Sequence, residues 1–211
     1  MGDKITVLLV DDHAIARNGV RLMLGTATDI SVEGEAGNAV EAMARVAERS
    51  FDVALVDIKM PGKNGLDLLK SLRSECPRMA VLVLSTYSEE IYAVRALKLG
   101  ASGYLTKDAP TPTLIEAVRK AAAGGKHVSP ALLEKLATLV GGGPSGDHEE
   151  LSNRELEVFK LIAQGEPLVQ IGEKLHLSPN TVTTYRSRIL EKMGMSSNAE
   201  LTRYALEHGL I

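Results

Sequence analysis

The chain has 211 residues, 45% hydrophobic and 24% charged, with a net charge of −3 at pH 7. That length admits one large domain or two small ones, each able to bury its own core, and the charge gives no sign of polyanion binding through bulk positive potential. The absence of tryptophan and the scarcity of other aromatics argue against a base-stacking platform, and no apolar run approaches membrane-spanning length. The single Cys76 cannot form an internal disulfide. Met1-Gly2-Asp3-Lys4 leads straight into a strand pattern rather than a basic and apolar leader, so the expected location is the cytoplasm.

Through the first 125 residues, apolar runs alternate with segments of helical period. The strand-like runs are Ile5–Val10, Ile30–Ala36, Val53–Asp57, Ala80–Ser85 and Ser102–Leu105. The helical segments between and after them are His13–Leu24, Ala39–Arg49, Gly65–Glu75, Glu89–Leu99 and Thr113–Ala123. Ile15, Val20, Leu22, Met23 and Leu24 read as the apolar side of the first helix, and Val40, Met43, Val46 and Ala47 as that of the second. Pro77 stops the third helix and Gly100 the fourth. Five strand–helix pairs predict a parallel sheet with helices on both faces and right-handed crossovers. Val53–Val56 is apolar without a break, as expected for a strand buried on both faces.

Ser129-Pro130 can start a further helix, Ala131–Val140, and the run Gly141–Asp147 reads as a linker. From there on, the pattern is helical only. Ser152-Asn153-Arg154-Glu155 forms a capping box ahead of Leu156–Ala163. Leu168–Leu175 is a short second helix. Ser178-Pro179 opens a third that runs to about Met193, and Asn198 can cap a fourth, Ala199–Glu207. Two short helices, a tight turn and a longer capped helix make a helix-turn-helix candidate. The expected division is 1–125, a 126–148 linker with a helix at about 130–140, and 149–211.

The chemistry gathers at strand ends. In a doubly wound sheet the first and third strands can be neighbours, which brings Asp11, Asp12 and Asp57 to one rim, where such sheets bind ligands. Unpaired, three carboxylates repel, and a divalent cation relieves that cost. Taken alone, Asp11-Asp12 ahead of a helix is equally an N-cap. Ser85 and Lys107 stand at the ends of the fourth and fifth strands, where a hydroxyl and an ammonium can hold the oxygens of a phosphoryl group on Asp57. Taken singly, the one is an ordinary turn serine and the other a surface lysine.

On the third helix of the C-terminal segment, Val182, Ile189 and Met193 form an inward stripe, with Ile171 and Leu175 of the second helix to pack on it. Asn180, Thr181, Thr183, Thr184, Ser187 and Arg188 are candidates for the groove-facing side, with Arg186 and Lys192 at its flanks. A plain helical bundle with a solvated polar face fits the same pattern. Residues 148–211 hold seven Lys/Arg against nine Asp/Glu, so any positive field is confined to the third helix.

Residues 4–125 resemble the receiver domain of bacterial two-component response regulators. The resemblance rests on Asp11-Asp12, Asp57 within Val-Asp-Ile-Lys-Met-Pro-Gly, Ser85 and Gly-Tyr-Leu-Thr-Lys at 103–107. It implies that Asp57 is the phosphoacceptor and that Asp11, Asp12, Asp57 and the Lys59 carbonyl hold Mg2+ or Mn2+. It further implies that Ser85 and Tyr104 form a switch pair, the tyrosine turning inward as the serine meets the phosphoryl group. Lys59 and Tyr87 stand where such domains tune dephosphorylation. Asp108 stands where many have proline, so a cis peptide is not carried over.

Leu151–Glu155, Ala163–Gly165 and Ser178–Val182 resemble the LuxR-type helix-turn-helix over 149–211, and the two parts together look like a NarL/FixJ-class regulator. The implied function is a phosphorylation-switched transcription factor, with a sensor histidine kinase as donor and an inverted repeat of double-stranded DNA as target. Activation would form a homodimer through Ala199, Leu201, Thr202 and Ala205, although Leu201, Ala205 and Leu206 read equally as core. Thr183 stands where a basic residue is common and Gly172 where alanine is usual. An aspartate-nucleophile phosphatase is the enzymatic rival, but it wants an acid where Lys59 stands, so the expectation is that the chain is not an enzyme. A third possibility is a protein-binding or RNA-binding output.

Overall fold

The computed structural model describes residues 4–60, 64–86, 89–130, 132–134 and 147–211, of which 89–91, 147 and 149 are described by backbone alone. The chain divides into two compact units, Met1–Ala137 and Thr138–Ile211. Of the expected helix Ala131–Val140, residues 132–134 are helical; the remainder and the glycine-rich run after it lie outside the described residues, as does Tyr87.

The first unit alternates strand and helix: β1 Ile5–Val10, α1 Ala14–Leu24, β2 Ile30–Ala36, α2 Ala39–Glu48, β3 Val53–Val56, α3 Gly65–Glu75, β4 Ala80–Ser85, α4 Glu89–Lys98, β5 Gly103–Thr106 and α5 Thr111–Ala122. The sheet is parallel, in the order β2-β1-β3-β4-β5. Val7, Leu9, Val53, Leu55, Leu82, Leu84 and Leu105 pack with Leu24 of α1 and Leu114 and Val118 of α5. The alternate residues Leu8, Val10, Ala54, Val56, Val81 and Val83 are buried as deeply, so both faces are covered. That explains why these strands read as unbroken apolar runs.

The helix faces differ from expectation in places. On α1, Ile15 and Leu22 are 88% and 72% exposed, while Val20 and Met23 are half-buried and Leu24 is buried. Residues seven apart share a helix face, so Ile15 and Leu22 stand together on the side away from the sheet. Val40 of α2 is likewise exposed and Ala42 takes the core position. Asn38 and Asn64 cap α2 and α3 by accepting from the amides of Glu41 and Asp67.

The second unit is helical: a 3-10 turn Asp147–Glu150, then α6 Asn153–Ala163, α7 Leu168–Leu175, α8 Pro179–Lys192 and α9 Asn198–Glu207. The capping box is formed on both sides by Ser152 and Glu155. Its core includes Leu156, Phe159, Ile162, Ile171, Val182, Ile189, Leu201 and Ala205. The cap of α9 is Ser197 rather than Asn198; the side-chain oxygen Oδ1 of Asn198 instead accepts from Arg186 Nε at 2.6 Å. Gly172 is needed for the tight turn, since a Cβ there would lie 2.7 Å from the Leu177 carbonyl oxygen. Among the described residues, no helix is long and apolar enough to cross a membrane.

Candidate functional site

The strand order brings the carboxyl ends of β1, β3, β4 and β5 to one rim. Val10 pairs with Val56, so Asp11 and Asp57 emerge side by side, and the Asp57 amide donates to the Val10 carbonyl at 2.8 Å. Ser85 pairs with Thr106, and the Lys107 amide closes onto the Ser85 carbonyl at 2.8 Å. A ladder thus delivers each functional residue from a rigid, buried strand. Beneath them Gly65 begins α3 so close that a Cβ would sit 1.9 Å from the Asp57 carbonyl oxygen. Only glycine fits there.

The side chains converge. Lys107 Nζ lies 2.7 Å from Asp57 Oδ2 and 2.5 Å from Asp11 Oδ2. Asp57 is 4% exposed. Burial pushes its carboxyl above the ordinary range, Lys107 pulls it back and the Asp11 charge adds to the rise. Burial also works against the Lys107 charge, but Asp11 and Asp57 outweigh it and hold the ammonium above its usual range. The Lys59 amide donates to Asp57 Oδ1 at 3.3 Å, and the Lys59 residue itself is exposed. Asp12 is exposed at the mouth. Ser85 is fully buried at its strand end, and Tyr104, on β5, is already turned inward at 1% exposure.

Atoms able to bind a metal on Asp11, Asp12, His13 and Asp57 all lie within 4.8 Å of one another. Three hard carboxylate donors at one open rim suit a small divalent cation that keeps part of its water shell. Two participants were not legible from the acids alone. Arg17 donates through Nη1 to the Asp11 carbonyl at 2.5 Å and through Nε to Glu35 at 3.2 Å, fastening the end of β1 to β2. His13 places Nδ1 at 2.8 Å from Asp12 Oδ1. Its position directly after Asp11-Asp12 was the available signal; Arg17 gave none.

On α8, Val182 and Ile189 face the core, and Asn180, Thr183, Thr184, Ser187 and Arg188 are exposed together. The hydroxyls of Thr183, Thr184 and Ser187 bond back to the carbonyls of Pro179, Asn180 and Thr183. Thr181 shares its hydroxyl with the capping Ser178 at 2.8 Å. Arg186 is half-buried against Asn198. Lys192 Nζ lies 2.6 Å from Glu155 Oε2, a carboxylate side chain 5% exposed, while the lysine side chain itself is 39% exposed. Burial opposes the Glu155 charge, yet Lys192 and the Ser152 amide outweigh it and hold the carboxyl below the usual range. Leu201 and Ala205 are 0% exposed, which corrects their assignment as contact surface: they are core of this unit. On α9, Ala199 is exposed, Thr202 half-buried and Leu206 63% exposed.

Comparison with known proteins agrees with this geometry. Residues 7–119 match the response regulator receiver domain, and residues 149–205 match the bacterial regulatory proteins of the luxR family. The response regulator GacA of Pseudomonas viridiflava is 36% identical over 210 residues, covering 98% of both chains. The transcriptional regulatory protein UhpA of Escherichia coli is 38% identical over 200 residues, covering 94% of this chain and 96% of its own. Among solved structures, the response regulator ChrA of a heme-sensing two-component system aligns with a TM-score of 0.55 at 32% identity, over 100% of both chains. The receiver and LuxR-family matches, with relatives aligned over nearly their whole length, show that the chain belongs to the two-component response regulators that regulate transcription through a LuxR-type DNA-binding domain.

Proposed function

We propose that Asp57 accepts a phosphoryl group from a sensor histidine kinase and that this event switches DNA binding by the C-terminal unit. A carboxylate oxygen of Asp57 forms a bond to phosphorus as the bond from phosphorus to the donor imidazole nitrogen breaks, and the released imidazole takes up a proton. The observation that carries this reading is Lys107 Nζ between two buried carboxylates, at 2.5 and 2.7 Å. An ammonium fixed there neutralises charge on the transferred oxygens. Ser85 supplies a hydroxyl to the same group, and Tyr104 packs behind it as the switch partner. Mg2+ or Mn2+, held by Asp11, Asp12, Asp57 and the Lys59 carbonyl, supplies further neutralisation of the phosphoryl oxygens when bound. Phosphorylation adds about −1.5 to −2 charges at Asp57, which draws Ser85 and Lys107 toward it and reshapes the α4–β5 face.

The receiver function belongs to residues 1–125 and the output to 149–211. The output reads an inverted repeat in duplex DNA through Asn180, Thr183, Thr184, Ser187 and Arg188. Arg186 and Thr181 shape the helix that presents them. Homodimerisation on activation uses the exposed part of α9 around Ala199 and Thr202. A kinase partner and a DNA target both fit action in the cytoplasm.

The test is a gel shift with genomic promoter fragments, with and without a small acyl-phosphate donor, for the wild type and Asp57→Ala. The donor is expected to tighten binding of the wild type alone. Equal binding with and without the donor would remove the switch from the account.

A further inference from the structure

The acidic rim contains a nitrogen donor that an all-oxygen cation site does not need. His13 stands at the N-cap position of α1, yet its side chain makes no capping hydrogen bond. Its backbone amide is instead held by Asp11 Oδ1 at 2.8 Å. The imidazole faces the acids, with Nδ1 at 2.8 Å from Asp12 Oδ1 and 3.5 Å from Asp11 Oδ1. The side chain is 65% exposed, so the ring sits on the open side of the rim with room to adjust.

Two donors on one small divalent ion lie about 3 Å apart when adjacent and about 4.2 Å when opposite, given bonds of roughly 2.1 Å. The four donors here lie within 4.8 Å of one another. Side-chain shifts on the order of 1 Å therefore bring three carboxylates and one imidazole onto a single ion. Ligand type then sets selectivity. Carboxylate and carbonyl oxygens suit Mg2+, whereas an imidazole nitrogen adds affinity for Ni2+, Zn2+ or Cu2+ and little for Mg2+.

We propose that His13 is a metal-selecting ligand, giving the phosphorylation rim a mixed oxygen–nitrogen site that takes borderline transition-metal ions in competition with Mg2+. This rests on the reading of the rim as a divalent cation site. Its consequence is that the metal content of the surroundings, and not Mg2+ alone, decides which ion accompanies Asp57.

The test measures Ni2+ and Mg2+ affinity separately by calorimetry on the full chain, for wild type, His13→Ala and Asp12→Asn. Ring signals of His13 are followed by NMR during the Ni2+ titration, because four other histidines are present. His13→Ala is expected to weaken Ni2+ binding by at least about tenfold, the lower end of the loss seen even for groups that only support a ligand, with Mg2+ affinity within about twofold of wild type. The His13 ring signals should broaden at the first equivalent of Ni2+ in wild type. Asp12→Asn should weaken both ions. Unchanged Ni2+ affinity in His13→Ala, or broadening confined to the other histidines, overturns the proposal and leaves the cation reading standing. Unchanged Mg2+ affinity in Asp12→Asn overturns the cation reading, and the proposal with it.

Discussion

Lys107 faces two carboxylates at once, and the two kinds of substitution it invites have opposite signs. Lys107→Met strands both acids at a rim where Asp57 is 4% exposed. It is expected to cost about 3 kcal/mol, as when one partner of a buried ionic cluster is removed, read from the urea midpoint at constant slope. Asp57→Asn moves the other way and is expected to raise stability, because burial disfavours the ionised carboxyl that the substitution removes. Burial raises the Asp57 carboxyl, so the folded state prefers its protonated form and ionisation costs stability. The wild type should therefore match Asp57→Asn at pH values below the carboxylate range and fall behind it as pH rises through that range. Parallel curves at every pH would show that Lys107 fully compensates the burial.

At the scale of elements, the tightest constraint is the seat of α3 against β3. A methyl at Gly65 would lie 1.9 Å from the Asp57 carbonyl oxygen and 2.9 Å from the Ile58 Cα. Gly65→Ala should destabilise the first unit by about 3 kcal/mol, the upper range for overpacking, and slow phosphorylation from an acyl-phosphate donor as β3 shifts. In the second unit, Glu155 is held below its usual range, so the stability it contributes is present above the ordinary glutamate range and is lost as pH falls through the folded-state value. Lys192→Gln should thus lower the melting temperature at neutral pH, and the deficit should close in acid.

Strands were the most legible elements, because burial on both faces leaves long apolar runs and little else. The strand ends were legible too, since Asp57, Ser85 and Lys107 each follow such a run directly. Helix faces were not: the apolar residues Ile15, Leu22 and Val40 stand exposed, and composition cannot tell a core stripe from an outward one when both are present. Ser197 caps α9 while Asn198 meets Arg186, twelve residues away in sequence, and no local pattern records such a contact. Leu201 and Ala205 could be read as core or contact until α9 was packed.

For the molecule as a whole, DNA affinity cannot come from bulk charge. The second unit carries more acidic than basic residues, and Lys192 is already paired. Salt dependence should accordingly trace to few cations. Arg188→Ala is expected to lower the slope of log affinity against log salt by about one, while Lys192→Gln should leave that slope unchanged although it weakens the fold. A slope that falls equally in both variants would return Lys192 to the DNA-contacting set.

Asp11 binds through three atoms at once: one carboxylate oxygen to Lys107, the other to the His13 amide, and its carbonyl to Arg17. Genetic screens will consequently score codon 11 as intolerant whether or not cation loading matters to signalling, because any allele there loosens the junction of several segments. The neighbouring codon is the informative one: Asp12 stands at the mouth with its side chain 27% exposed against the His13 ring, and missense changes there bear on ion handling with less scaffold damage.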